Sequence, residues 1–508
     1  MTRAGPAAAD SAFSPAAAPQ LTVPSATGID ARLVLAGPGA RTIAFIFDWM
    51  IRGCLALAWL LLVTWAITGN FGTDVPRDSE TLWILAGAVP ASTIYFLYHP
   101  LLEALMNGRT PGKRMTGLRI LTMEGQVPTT GSVLTRNVFR IIDSLPGFYV
   151  VGLFLVMFGS RHQRFGDLAA GTVVALERAP FLEKLARLRG AGGEPDPWQE
   201  VRQRATTLGL RRGDLGEALA VVDDYRRAAH ALGTTRPRGT ATAAEYLEAT
   251  YADLHDVIHR AARRVPMVLW SVLRDQVPAA MHAMRVHVLA VTLLFVISAV
   301  AGFWLVNTYP DLIAMFASRE LISTVERGEL WTDGLLNVTP SAVLSVSILS
   351  NNIVVSLFAF CSGIIFGLGT FYIVGLNGVS LGAIFALTGQ HGLAGRLFDF
   401  VVAHGCVELS CICISGAAGS LLGEALVRPG ALTRREAFRS AAREGMRVLL
   451  VVTLLLLVCG FIEGYVSPDP EIPRWARVTI GVGYWLFMVS LLRGYVFGRS
   501  RGGAPVNA

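Results

Sequence analysis

Charge is what this sequence has least of. Only 16% of its 508 residues are Asp, Glu, Lys or Arg, against about 25% in an ordinary soluble chain. With 53% hydrophobic residues and a mean hydropathy of +0.50, that shortage argues against a soluble protein and for a polytopic membrane protein. Cysteine is also sparse. All six (Cys54, Cys361, Cys406, Cys411, Cys413 and Cys459) fall within apolar runs, and no spaced C-x-x-C pair occurs. A disulfide framework and a thiolate zinc site are therefore not expected. Catalytic signatures are missing as well. There is no nucleophile elbow, kinase set or dinucleotide fingerprint. "NGRTPGKR" departs from the phosphate-loop spacing and has Arg114 where Ser or Thr belongs. No catalytic, cofactor-binding or metal-ligating residues are expected, and the chain reads as a non-enzyme.

The opening stretch, rich in Ala and Pro, has no continuous apolar core of the signal-peptide kind. Residues 1–34 read as a disordered tail, with the first membrane span as the targeting signal. A span needs roughly 20 mostly apolar residues. Two candidates come first, 42–67 and 82–105. Arg32 and Arg41 precede them, and Arg109, Lys113, Arg114 and Arg119 follow. Both flanks should thus be cytoplasmic. The net charge of +7 is explained by such flanks, so nucleic acid is not expected as a partner.

Two short β-branched runs follow, "TGLRILTMEGQVPTT" and "GTVVALE". Between them, residues 131–160 are helical in pattern but broken at Pro146-Gly147, with an apolar core short for a span. A helical hairpin over 131–160, either two spans or a re-entrant pair, keeps Arg161 and Arg164 inside. It also leaves the two runs on one side, free to pair as a small sheet.

Residues 179–284 are polar and helix-favouring, with an amphipathic pattern through Tyr246, Leu254, Val257 and Ile258. They read as a cytoplasmic helical linker. The second membrane unit, 285–498, is expected to cross six times, with one short crossing at "VSLGAIFALTG". Arg428, Arg434, Arg435, Arg439, Arg443 and Arg447 form its strongest cytoplasmic flank. A C-terminal tail, 499–508, remains. The expected fold class is an all-α polytopic membrane protein: two helical membrane units, a cytoplasmic linker and a small β-hairpin in the first unit. Both termini should lie in the cytoplasm.

"ARTIAFIFDWMIRG", "GRTPGKRMTGLRIL" and "RHQRFGDLAAGTVV", in that order, resemble the RDD family of bacterial membrane proteins over 35–178. The family's defining Arg and two Asp would be Arg41, Asp48 and Asp167 here. Further on, "SNNIVVSLFAFCSGIIFGLGTFYIVGLNGVSLGA", "HGCVELSCICISGAAGSLLGEALVRPG" and "FIEGYVSP" resemble the stage II sporulation protein M (SpoIIM, DUF95) family, roughly over 195–498. The sporulation member is understood as a membrane scaffold for peptidoglycan-degrading enzymes. The resemblance implies a bacterial cell membrane and a scaffold for envelope or membrane partners. The fused RDD-like unit is a departure from that family.

A few ionisable residues lie in the oily runs. His404 and Glu408 are four apart, so a helix sets them on one face. A carboxylate at a span's centre costs roughly 2.5–3.5 kcal/mol on insertion scales, so it should face protein and find partners. Asn351, Asn352 or Asn377 from neighbouring helices would complete a polar clasp. Ion or proton handling and hydrolase chemistry are the rival readings. H-x-x-x-E without a second His is not the zinc-protease motif. Glu463 has two options, pairing with Arg474 or reaching water. Asp48 forms an i, i+4 pair with Arg52, and Asp167 is placed to reach Arg41 at the membrane surface as a salt-bridge lock. Gly363 with Gly367, and Gly419 with Gly423, are small-xxx-small pairs suited to close helix approach. The leading function is a non-enzymatic scaffold; a transporter or ion exchanger is the rival, and an intramembrane hydrolase is the weaker third. Expected partners are the lipid bilayer and other membrane or envelope proteins, with self-association left open.

Overall fold

The computed structural model describes residues 19–23, 31–71, 79–144, 150–159, 161–176, 201, 215–234, 270–330 and 341–497. It is mostly helical, with two small antiparallel sheets. Seven helices among the described residues are long and apolar enough to cross a membrane. The described residues fall into two compact units, one within Met1–Cys54 and Phe96–Ala262, the other within Leu55–Tyr95 and Arg263–Ala508.

Four strands, β1 (Gln20–Val23), β2 (Ala31–Val34), β3 (Leu118–Thr122) and β4 (Thr172–Leu176), belong to the first unit. The two β-branched runs pair as expected, Leu118 opposite Leu176 and Thr122 opposite Thr172. Residues distant in sequence meet there, so the pair is not a hairpin. The disordered tail expected over 1–34 is corrected at its end. β1 pairs with β2, and Leu35 bridges Ala175 while Ala36 N–H donates to the Val174 carbonyl at 2.8 Å. The alternating apolar residues of "QLTV" and "ARLV" gain a partner strand, and the chain after them joins the edge of β4. Ala36, Ala44, Leu118, Ile120 and Val174 form one small core against the sheet. Leu35, Leu121, Val173 and Ala175 form another.

Helices α1 (Pro38–Thr68) and α2 (Glu80–Leu105) are the first two candidate spans. Trp83 Nε1 donates to Thr64 Oγ1 at 2.8 Å and Trp59 Nε1 to the Ala86 carbonyl at 2.9 Å, tying one to the other. A short α3 (Pro111–Met115) leads into β3. The region 131–160 then forms α4 (Thr130–Val138), α5 (Arg140–Asp143) and α6 (Val150–Phe158). Both α4 and α6 have nine residues, about 13 Å of helix against a hydrocarbon core of about 30 Å. Among the described residues of 131–160, no helix is long enough to span by itself. Residues 145–149, which include Pro146-Gly147, lie outside the described residues. Before β4 comes α7 (Phe165–Ala170), capped by Asp167, whose carboxylate accepts from the Arg164 N–H at 3.3 Å.

Of the linker, α8 (Leu215–Thr234) is described, with Tyr225 and Ala228 buried. The amphipathic helix expected through Tyr246–Ile258 lies outside the described residues. Among the described residues, 285–498 hold six long helices: α9 (Arg285–Thr308), α10 (Ser341–Cys361), α11 (Leu368–Gln390), α12 (Gly405–Val427), α13 (Arg434–Tyr465) and α14 (Arg474–Leu492). Five of these are candidate spans and α10 carries only a shorter apolar stretch, Leu349–Ile364, so the shorter helix falls there and not at "VSLGAIFALTG". The helix breaks at Ser362–Ile364, where Phe366 and Gly367 take φ of 50° and 82°, a backbone that glycine tolerates. The "VSLGAIFALTG" run then completes α11, 23 residues long. Helix α12 packs against α9, α10 and α13. The two small-residue pairs face one another: a Cβ at Gly363 would overlap the Gly419 carbonyl, and one at Gly423 would overlap the backbone of Gly367.

Candidate functional site

Two clusters of buried ionisable side chains stand out, one in each unit. In the first, Arg136 on α4 is the hub and is 1% exposed. Its Nη1 donates to Glu103 Oε1 at 2.8 Å and its Nε to Asp167 Oδ1 at 2.6 Å. Lys113 Nζ donates to the same Glu103 oxygen at 2.8 Å, and Asn137 Nδ2 donates to Oε2 at 2.9 Å. Arg41 Nη2 donates to Asp167 Oδ2 at 2.5 Å and its Nη1 to the His162 carbonyl. The expected Arg41–Asp167 lock is present, and Arg136 extends it to α2.

Asp48 has a separate anchorage. Its carboxylate accepts from Tyr98 Oη at 3.0 Å, Thr110 Oγ1 at 2.5 Å and Gly112 N at 2.8 Å. The "GRTPGKR" loop therefore serves as its cradle. A Cβ at Gly112 would overlap the Ala44 carbonyl, so glycine is needed there. Arg52, one turn on from Asp48, has its guanidinium 5.8 Å from the centre of the Phe45 ring.

The charges respond to this packing. Burial by itself would push Asp167 up, but Arg136, Arg41 and Arg164 outweigh it and hold the carboxyl well below its usual range. Arg136 loses solvation on burial, yet Glu103 and Asp167 hold it above its ordinary value. Burial pushes the Lys113 ammonium down to about 8, against the pull of Glu103. A cavity of about 310 Å³ adjoins the cluster, lined among others by Arg41, Asp48, His99, Lys113 and Arg140.

Glu103, Lys113 and Arg136 are the residues that sequence reasoning missed. One signal was present. His99 and Glu103 have the same four-residue spacing in an apolar helix as His404 and Glu408.

The second cluster lies where α12 begins and α13 ends. His404 is the residue before α12, and its Nδ1 is 3.0 Å from Ser467 Oγ. Its Nε2 stands 3.7 Å from Glu408 Oε2 and 3.6 Å from Glu463 Oε1. The edge of the Phe400 ring meets the imidazole, centroids 5.7 Å apart. Asn352 hydrogen-bonds Glu408, and Asn351 Nδ2 approaches Asn352 Oδ1 at 3.5 Å. The structure thus brings His404, Glu408, Asn352 and Glu463 together.

Two expectations are corrected. Asn377 donates to the Ile373 carbonyl of its own helix at 2.8 Å: an asparagine can satisfy itself one turn back without crossing to a neighbour. Glu463 neither pairs with Arg474 nor reaches water; it is buried beside His404. Arg474 instead grips Asp399 in a bidentate pair at 2.5 and 2.7 Å, a geometry suited to the guanidinium fork.

Chemically the clusters differ. In the first, cations and carboxylates interlock. In the second, two carboxylates and an imidazole converge, and among the described residues no Lys or Arg pairs with either glutamate.

Residues 35–171 match the RDD family and residues 291–468 match "Stage II sporulation protein M". No curated protein and no solved structure matches the chain. The first cluster lies wholly inside the RDD match, and the His404 cluster wholly inside the other. The protein is therefore an integral membrane protein carrying an RDD family domain at 35–171 and a SpoIIM domain at 291–468.

Proposed function

We propose that this protein is a non-enzymatic membrane scaffold that recruits envelope or other membrane partners in a bacterial cell membrane. One observation carries the reading: Arg136 is clasped at once by Glu103 and Asp167, so the signature Asp167 is spent on holding elements together. A carboxylate locked by two guanidinium groups is poorly suited to releasing and rebinding an ion in each cycle. The resemblance of the second half to a sporulation scaffold supports the same view.

Ion or solute exchange is the second reading, favoured by the presence of Asp48 on the cavity wall. Crosslinking in native membranes and proteoliposome flux separate the two. For a scaffold, Asp48→Asn and Glu408→Gln keep the same crosslinked envelope or membrane proteins, and flux equals that of empty liposomes. An ion or proton flux lost in either variant, with assembly intact, overturns the scaffold.

We also place both termini in the cytoplasm. The seven candidate spans together with the shorter apolar helix Leu349–Ile364, if it too crosses, make an even number of crossings. Arg428 and the arginines of the first half of α13 (Arg434, Arg435, Arg439, Arg443 and Arg447) flank that side. Single cysteines at positions 124 and 170, in a cysteine-free chain, should label from the same side of sealed vesicles as a tag on either terminus. Labelling of 124 and 170 from opposite sides refutes this topology.

A further inference from the structure

We propose that His404, Glu408 and Glu463 bind one divalent first-row metal ion of the zinc or manganese kind, which staples the start of α12 to the end of α13. One donor atom from each residue lies within 4.8 Å of the other two. A hydrogen-bonded clasp would bring the imidazole to one carboxylate at about 2.7–2.9 Å. Here Nε2 stands nearly equidistant from two, at 3.6 and 3.7 Å, beyond hydrogen-bonding reach of both. The imidazole Nε2 thus stands between the two carboxylates and is bonded to neither. Tetrahedral zinc with bonds of about 2.0–2.2 Å sets its ligand atoms roughly 3.3–3.5 Å apart. The two imidazole–carboxylate distances need to close by only a few tenths of an ångström, and the two carboxylates lie within 4.8 Å of one another.

Three further observations point to a ligand. Glu463 is 6% exposed, and its Oε2 has no hydrogen-bond partner. That leaves, on a residue of the cluster, a buried acceptor with nothing to accept from. Ser467 Oγ holds Nδ1; the tautomer that donates Nδ1–H to it leaves Nε2 with a free lone pair beside the two carboxylates. That is how an outer hydrogen bond commonly orients a metal-binding histidine. The Glu408 side chain is 17% exposed, so the cluster is not fully sealed by protein. One imidazole and two carboxylates are nitrogen and oxygen donors that suit zinc or manganese rather than a soft, thiolate-seeking ion. Three protein donors leave a fourth position open. The absence of metal ligands expected from sequence rested on cysteine usage and on motifs that place two histidines in one helix. Here the third ligand comes from a different helix. The site stands whichever function holds.

The test uses the full chain purified in detergent, stripped with a chelator and titrated with Co²⁺ and then Zn²⁺ or Mn²⁺. Cobalt should give visible absorption saturating at about one ion per chain, displaced by zinc, and zinc should raise the unfolding midpoint. Glu463→Gln and His404→Gln should each weaken binding more than about tenfold. Glu424→Gln, at the separate His287–Glu424 pair (2.7 Å), should bind as wild type does. Failure of the monodisperse wild-type chain to bind Co²⁺, Zn²⁺ or Mn²⁺ overturns the proposal without recourse to variants. So does undiminished binding in folded His404→Gln.

Discussion

Arg136→Met lowers the stability of the protein by about 3–5 kcal/mol, the cost of stranding one side of a buried ion pair. The side chain joins α4 to Glu103 at the end of α2 and to Asp167 on α7. Its loss leaves two buried carboxylates with fewer donors. Arg136→Lys should recover little, since an ammonium on a flexible stem cannot reproduce the fork that spans both acids. Glu103 Oε1 already holds Lys113. Neutralising the acids should recover more: adding Glu103→Gln and Asp167→Asn to Arg136→Met removes the stranded charges, so the triple variant should be more stable than the sum of single effects predicts. The measurement is the thermal unfolding midpoint in detergent. As a control, Arg226→Ala, whose partner Asp223 is as exposed as itself, should leave the midpoint in place. An Arg136→Met midpoint equal to wild type would mean that the clasp is not a fastener.

The same network has a pH signature. The folded Asp167 carboxyl is held below its unfolded range. Its contribution is therefore fully present above the unfolded value of about 3.9 and is lost as pH falls toward the lower folded value. The Asp167 contribution to the wild-type midpoint should be fully present down to about pH 5 and lost below about pH 4. Arg136→Met should flatten that acid limb, because the main cation holding Asp167 down has gone.

Much of this was legible from sequence for reasons that can be traced. Span positions follow from apolar length, and the β3–β4 pairing follows from two β-branched runs kept on one side. The Arg41–Asp167 lock was within reach because the family resemblance singled out both residues, one at the entry of the first span and one in a loop able to reach it. The His404–Glu408 face follows from helical spacing alone. What stayed hidden depends on three-dimensional neighbours. Arg136 sits in a short helix of ordinary composition, and nothing local marks it as the link between α2 and α7. Glu463 was read by its nearness to a helix end, and burial there depends on how α13 lies against α12. The break before α11 was misplaced because "CSGIIFGLG" is as apolar as the helices on either side; only positive φ at Phe366 and Gly367 ends the helix. The strands at 20–34 were hidden by an Ala- and Pro-rich context. Their support comes from β4, far along the chain.

Helix packing gives the other large effect: Gly382→Leu should lower the unfolding midpoint at least as far as Arg136→Met does. Helices α9 and α11 touch backbone to backbone. A Cβ at Gly382 would overlap the Ala299 carbonyl, and one at Gly302 would overlap the backbone of Val379. A Cβ at Gly378 would lie 2.6 Å from the Phe295 carbonyl. In lipid, apolar surface gains little by leaving the surroundings, so such seams are held by close contact between small residues. Overpacking a tight core costs about 1–3 kcal/mol. A leucine here also loses the contacts on either side of it, because the whole seam must part to admit it. The size of the residue should matter less than the presence of any Cβ. Gly382→Ala must therefore already destabilise, with Gly382→Leu worse. On the same helix, Gly389 has nothing within 4 Å of its would-be Cβ. There alanine should leave the midpoint unchanged or raise it slightly, as expected when glycine is replaced in a helix with room to spare. The pair of alanine variants isolates the cause, since both make the same chemical change in one helix. Equal midpoints for the two would show that α9 and α11 do not meet through Gly382 in the folded protein.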